Sequence, residues 1–283
     1  MNKSKGFANL RNRKVELKMK KTLNVGLVGL GYIGKIHAIG YRDIALCFNQ
    51  PQVTANLTAV LRTSLGRDKE FLETSGLAFE TTDLDEFFAQ PLDLVDICSP
   101  SAMHTKYVVE AAHRGIPIYC EKPLGKDLAD AQIMAAAAIN ANVLTHMAFT
   151  MRYMPGIRKM KAVLDSSQLG EVLNFRGNIF HSSYLDPQRP MSWRLRFAES
   201  GGGAFADLGV HLVDLVKYLI GDIAAAGAKM RTFISERPVH HGSNKLEKVD
   251  VDDWALCTIE MKNGAIGHIE ATRMAAGIGN EIS

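Results

Sequence analysis

Cysteine is scarce, with four in 283 residues. Cys47, Cys98, Cys120 and Cys257 stand singly among apolar neighbours, with neither CxxC pairs nor metal-ligand spacing, which excludes a disulfide scaffold and a zinc module. They read as reduced core residues of a cytoplasmic protein, and no metal is expected. No apolar run reaches the roughly 18 residues of a membrane-spanning helix. The Ala-rich stretch around Ala135–Ala138 is interrupted by Gln132, Asn140 and Asn142. Low-complexity tracts and internal repeats are lacking too. Charge of one sign is in short supply overall, the net being +3, but residues 1–21 hold eight basic side chains against Glu16 alone. The remainder is therefore weakly acidic, a poor footprint for nucleic acid or a membrane surface. The basic leader lacks the apolar stretch of a secretory signal. It is expected to be disordered or a mis-assigned start, with Met19 opening a cleaner beginning.

What is present is an ordinary globular composition, 47% hydrophobic and 22% charged. Between residues 22 and 148, short continuous apolar runs alternate with segments of helical spacing. The runs are Leu23–Leu30, Leu57–Leu61, Leu94–Cys98, Ile116–Cys120 and Val143–Met147. Helices are predicted at Ile33–Phe48, Arg67–Thr74, Leu84–Ala89, His104–Arg114 and Leu128–Ile139, the last capped by Asp127. Repeated βα units bury their strands on both faces, so a doubly wound parallel sheet of Rossmann type is predicted.

Over residues 149–283 the pattern changes. A helix at Pro155–Asp165 precedes alternating strands at Val172–Ser182, Lys229–Ser235, Trp254–Met261 and Ala265–Thr272, with a helix around Leu208–Leu219. Asn263-Gly264 is a hairpin signal. An α+β domain with a mostly antiparallel open sheet is expected, with residues 277–283 adding no closing element.

Gly29-Leu30-Gly31-Tyr32-Ile33-Gly34 follows a strand and opens a helix, the context in which G-x-G-x-x-G binds a dinucleotide. After the second strand stand Arg62, Thr63 and Ser64 rather than a carboxylate, and no acid occurs between Asp43 and Asp68. A guanidinium beside hydroxyls suits a 2′-phosphate, so NADP is favoured over NAD. Ser99-Pro100 and Glu121-Lys122-Pro123 lie at strand ends, where ligands of such sheets bind. Asp207 and His211 are four residues apart on a predicted helix, hence on one face. A histidine there can accept a proton, and either Asp207 or Asp214 can orient it.

These landmarks, with His104 and the run Gly201-Gly202-Gly203 through Asp207-Leu208-Gly209-Val210-His211 to Asp214, resemble the glucose-fructose oxidoreductase / inositol dehydrogenase / rhizopine-catabolism (Gfo/Idh/MocA) family across residues 22–275. The resemblance implies hydride transfer between NAD(P) and a secondary alcohol or ketone of a sugar, inositol or related cyclic polyol. It implies His211 as base, Asp207 as polyol ligand, and Lys122 as donor to the oxygen gaining charge. Tyr32, Ile33, Ser99, Pro100, His104, Glu121 and Lys122 join the glycines at the cofactor. Arg152, His181, Trp193 and Arg194 are candidates for the substrate side, with interdomain packing as their other reading. His37 and His104 are expected in structural or cofactor-loop roles. A homo-oligomer formed through the second sheet is expected, and family members are usually longer than this chain. Two other readings are a glycosidase that oxidises its substrate transiently with bound NAD and a non-catalytic NADP-binding regulator.

Overall fold

The computed structural model describes residues 21–48, 52–77, 79–277 and 280–282. Most of the leader, residues 1–20, lies outside the described residues. Strands β1 (Lys21–Val28), β2 (Val53–Leu61), β3 (Glu80–Thr81), β4 (Leu94–Ile97), β5 (Ile118–Cys120) and β6 (Thr145–Met147) form one sheet. Its order is β3-β2-β1-β4-β5-β6, with every pair parallel. The connections carry α1 (Tyr32–Cys47), α2 (Lys69–Ser75), α3 (Leu84–Phe88), α4 (His104–His113) and α5 (Leu128–Asn140). Because strand side chains alternate, the sheet feeds two cores. Val25, Leu27, Leu57 and Val60 pack with Ala38 of α1. Val28, Val95, Ile97 and Ile118 pack with Val108 of α4 and Met134 of α5. Asp127 caps α5 by accepting from Asp130 N.

A second sheet follows α6 (Pro155–Asp165). It contains β7 (Asn174–His181), β8 (Ile223–Arg231), β11 (Trp254–Met261), β12 (Ile266–Thr272) and β13 (Asn280–Ile282), in the order β13-β7-β12-β11-β8. The short strands β9 (Glu236–Pro238) and β10 (Leu246–Lys248) pair with each other outside it. The sheet is mixed: β7 and β12 run parallel and the other three pairs antiparallel. After the short helix α7 (Phe197–Ser200), helix α8 (Val210–Leu219) lays Leu212 and Val216 on Ile179, Ile259 and Ile269, so one sheet face is covered. The other face stays open, and eight of the nine residues of β8 are exposed.

Three expectations change. The strand predicted at Lys229–Ser235 instead runs from Ile223 to Arg231, because five small residues, Ala224–Ala228, take their order from pairing with β11 and carry no apolar period. The stretch expected to lack a closing element supplies β13, which pairs with β7. Cys47 is exposed on α1, whereas the other three thiols are buried, and all four are free.

Candidate active site

Three glycines shape the β1–α1 turn. Gly29 has φ +92°, a region side chains rarely adopt. A Cβ on Gly34 would lie 2.2 Å from the Gly29 carbonyl oxygen, so only hydrogen lets α1 start this close to the strand. A Cβ on Gly31 would meet nothing within 4 Å. The loop thus leaves open space before the first turn of a sixteen-residue helix, which fits the pyrophosphate of a dinucleotide. Tyr32 is exposed there and Ile33 packs inward with the strand-side core.

Arg62 follows β2, as expected, but its guanidinium is not free. It donates to Asp68 (2.9 Å), Glu80 (3.3 Å) and the Arg67 carbonyl (2.9 Å).

Lys122 leaves the end of β5, joined to Pro123 by a cis peptide bond, and crosses to the second domain. Its Nζ donates to Asp207 Oδ1 (2.8 Å) and to the Asp207 carbonyl (2.9 Å). The segment carrying it is braced from below. His104, 1% exposed, bonds through its ring nitrogens to the carbonyl oxygens of Ser99, Pro123 and Leu124. Glu121 accepts from the Lys122 backbone N–H (3.0 Å) and from His37 (3.2 Å). His104 and Glu121 were expected at the cofactor. The structure buries His104 beneath the Lys122 loop, the structural role also expected for it, and places Glu121 beside that loop with one hydrogen bond on each carboxylate oxygen. Ser99 and Pro100 occupy the neighbouring end of β4.

His37 also bonds Asp96 (2.8 Å), and Cys98 Sγ lies 3.2 Å from the same ring nitrogen. Burial works against its charge, but hydrogen bonds from Asp96, Cys98 and Glu121 outweigh it and raise the imidazolium from 6.5 to about 12. His37, Asp96 and Cys98 form a compact group of potential metal ligands from distant segments, which spacing along the chain does not reveal.

Asp207 carries the densest electrostatics. Besides Lys122, it accepts from Arg273 Nη2 at Oδ2 (3.0 Å), and Arg194 Nε stands 4.0 Å away. Burial would push this carboxyl up, but the charges of Lys122 and Arg273 win and hold it well below the usual carboxylate range. Arg273, 1% exposed, follows β12 and was not singled out from the sequence. It ends an alternating apolar strand with no motif around it, so a lone charge at a strand terminus was its one signal.

The hydrogen bond by which Asp207 or Asp214 could orient His211 is not made. Residues Phe205–Gly209 make a widened π-type turn, in which the N–H of Val210 reaches back to the carbonyl of Phe205. Asp207 bonds Lys122 and Arg273, while Asp214 is held by Arg152, so neither carboxylate hydrogen-bonds His211. His211 Nδ1 is buried with no hydrogen-bond partner among the described residues. Burial, reinforced by the Lys122 ammonium, lowers its pKa to about 4. Near neutrality the imidazole is thus uncharged and able to take a proton.

On the substrate side, His181 is lowered by burial and feels the charges of Asp207, Arg273 and Lys122. Arg194 stacks on Trp193 with 4.4 Å from guanidinium to ring centre. Arg152, expected in the cleft, instead pairs through Nε and Nη2 with buried Asp214 and ties the start of the second domain to α8. The glycines before Asp207 permit close backbone approach: a Cβ on Gly201 would lie 1.8 Å from the carbonyl oxygen of Lys126 in the first domain, and one on Gly203 1.9 Å from that of Asp252 within the second.

Residues 23–149 match the oxidoreductase family with an NAD-binding Rossmann fold, and residues 157–282 match the GFO/IDH/MocA C-terminal domain. Over 275 residues the chain is 31% identical to levoglucosan dehydrogenase of Pseudarthrobacter phenanthrenivorans, covering 93% of this chain and 70% of that protein. It is 26% identical to myo-inositol 2-dehydrogenase of Thermotoga maritima, covering 89% and 69%. A solved levoglucosan dehydrogenase in complex with NADH superposes with a TM-score of 0.88 at 32% identity, over 93% of this chain and 70% of that one.

Proposed function

The chain belongs to the GFO/IDH/MocA oxidoreductase family, and on that premise we propose that it oxidises a secondary hydroxyl of a sugar or cyclic polyol with NAD, using Lys122, Asp207 and His211. Residues 22–148 bind the cofactor and residues 149–283 the substrate. The observation that carries the reading is the meeting of the two domains at one point: the Lys122 ammonium lies 2.8 Å from Asp207, beside an uncharged His211. A binding-only protein has no use for that combination.

The β1–α1 loop would hold the pyrophosphate, with Ser99, Pro100 and Lys122 at the nicotinamide end of the cleft. Bound nicotinamide supplies the acceptor for the hydride that leaves the carbinol carbon. His211 takes the hydroxyl proton onto a ring nitrogen. Lys122 donates a hydrogen bond to the same oxygen, stabilising the negative charge it gains as O–H breaks and C=O forms. Asp207 orients the ammonium and presents acceptor capacity to a neighbouring substrate hydroxyl. Trp193 and Arg194 offer an aromatic face and a planar cation to the ring.

NAD is proposed over NADP, which Arg62 had suggested, because Asp68 and Glu80 already neutralise that guanidinium. Solved levoglucosan dehydrogenase complexes carry NADH. The open face of the second sheet supports pairing of two copies, and the four free thiols suit a reducing, cytoplasmic setting. No helix among the described residues is long and apolar enough to cross a membrane.

The test is a panel of levoglucosan, inositols, hexoses and sugar phosphates with NAD and NADP, followed by absorbance of reduced nicotinamide. Turnover of at least one cyclic polyol or sugar supports the proposal. Cleavage of an aryl glycoside without net cofactor reduction would replace it by the glycosidase reading.

A further inference from the structure

Parallel sheets of this type normally supply a carboxylate at the end of the second strand to bind the ribose 2′-hydroxyl of NAD. Here that position is Arg62, and the two residues after it are Thr63 and Ser64. The fold nevertheless brings a carboxylate there. Asp68 lies six residues downstream, just before α2, in a left-handed conformation with φ 57° that folds the segment back. One oxygen, Oδ1, accepts from Lys35 Nζ at 2.6 Å, and Lys35 directly follows Gly34 on α1. The other, Oδ2, accepts from Arg62 Nη2 at 2.9 Å. The carboxylate therefore bridges the first turn of α1 and the end of β2, the two elements between which the adenosine ribose of a dinucleotide is bound in such folds.

We propose that Asp68 is the group by which this enzyme distinguishes NAD from NADP: it accepts from the ribose 2′-hydroxyl and repels a 2′-phosphate. This rests on the NAD reading given above and names the residue responsible for it. Both oxygens have lone pairs left after accepting one bond each, so a hydroxyl can be added without breaking the network. Glu80, 3.3 Å from Arg62 and bonded also to the Gly66 N–H, contributes a second negative charge. The two carboxylates engage Lys35 and Arg62, so neither of these cations is free to clamp a phosphate. Hydrogen bonds from Lys35, then Arg62, also hold Asp68 below its ordinary carboxylate range, so it is ionised at working pH.

Removing the carboxylate reverses this balance, since Lys35 and Arg62 are then free to clamp a phosphate. Asp68→Asn keeps the shape, and asparagine tolerates the left-handed conformation. Asp68→Gly, which accepts the same φ without a side chain, is the second variant. The intact chain and both variants would be titrated with NADH and with NADPH by calorimetry, with thermal unfolding of the free proteins alongside. The wild-type chain is expected to bind NADH at least about tenfold more tightly, and each variant to shift the ratio toward NADPH by about 10- to 100-fold. The shift should shrink as salt is raised. A wild-type chain that prefers NADPH overturns the NAD reading itself. A wild-type preference for NADH that survives unchanged in both folded variants overturns the role of Asp68 and leaves the NAD reading standing. Loss of both dinucleotides in both variants also overturns the role, because a 2′-selecting group should not control binding of the rest of the molecule.

Discussion

Replacing Arg273 by Met tests the electrostatic account of the site most directly. The guanidinium is buried, stands 4.9 Å from the ring centre of Tyr184, and gives Asp207 Oδ2 a hydrogen bond at 3.0 Å. Its Nη1 reaches the Arg194 carbonyl at 3.4 Å and its Nε has no partner, so the Asp207 bond is its main polar engagement. Hydrogen bonds to charged groups are worth about 1.5–3 kcal/mol. Losing this one raises the Asp207 carboxyl by about 1–2 pH units at 1.36 kcal/mol per unit. Asp207 starts far enough below the ordinary range to remain ionised at neutrality, so its orientation is what is lost. With Oδ2 released, the carboxylate can rotate and carry Lys122 away from the reacting oxygen. On the best substrate of the panel, kcat/KM should fall by about 10- to 100-fold, mainly through kcat. NADH affinity should not change, and Arg273→Lys should recover part of the loss. Methionine fills much of the volume and removes an unpartnered N–H, so the fold should survive, as thermal unfolding will report. A folded Arg273→Met enzyme with wild-type kcat/KM would refute the reasoning.

Lys122→Met and His211→Asn should each lower turnover by at least about 100-fold while calorimetry still detects NADH binding; near-normal rates in either variant would remove that residue from the mechanism. Because burial and Lys122 lower His211 to about 4, its neutral form persists as pH falls well below the unperturbed 6.5. The acid limb attributable to His211 should therefore lie near pH 4, and a limb between 6 and 7 that disappears in His211→Asn would contradict this assignment. Gly201→Ala places a methyl 1.8 Å from the Lys126 carbonyl oxygen, at a residue with φ 74°. Loss of at least about 2 kcal/mol in a denaturant titration is expected, with lower activity, since the two domains must separate to admit it.

The parallel sheet could be read from the sequence because its strands are buried on both faces and their apolar runs are continuous. Trp254–Met261 was equally clear, since its inward side alternates regularly. Strand β8 was displaced because its alanines are exposed and carry no period. Of the proposed site, Lys122, Asp207 and His211 stand out in the sequence because motif and chemistry coincide there. Relations among them depended on distant contacts. Asp207 is taken up by Lys122 and Arg273 instead of pairing with His211, and the turn between them is of π type, where a Cβ on Gly209 would lie 2.7 Å from the Phe205 ring. Arg62 looked like a free cation because Asp68 and Glu80 reach it only after the chain has folded back. Arg273 offered no pattern, since a buried arginine is recognisable only from the carboxylate it meets.

The loop holding Lys122 shows why so many titratable groups surround a single ammonium. A catalytic cation helps only if it is in place before charge develops on the substrate. Its backbone is fixed by His104 through the carbonyls of Pro123 and Leu124, and its side chain by Asp207. Glu121, adjacent to it, would be a competing acceptor for the ammonium if left alone. The His37 imidazolium engages Glu121 instead, and with a pKa near 12 it keeps its charge throughout the working range. His37, on the helix after the glycine loop, also bonds Asp96 on β4 and so links the cofactor-binding helix to the strand ends that carry the chemistry. Each positive group in this chain of contacts faces a carboxylate, so charge is balanced locally while Lys122 is held at the junction of the two domains. Neutral His211, whose buried Nδ1 has no hydrogen-bond partner among the described residues, is then free to respond to the substrate's proton.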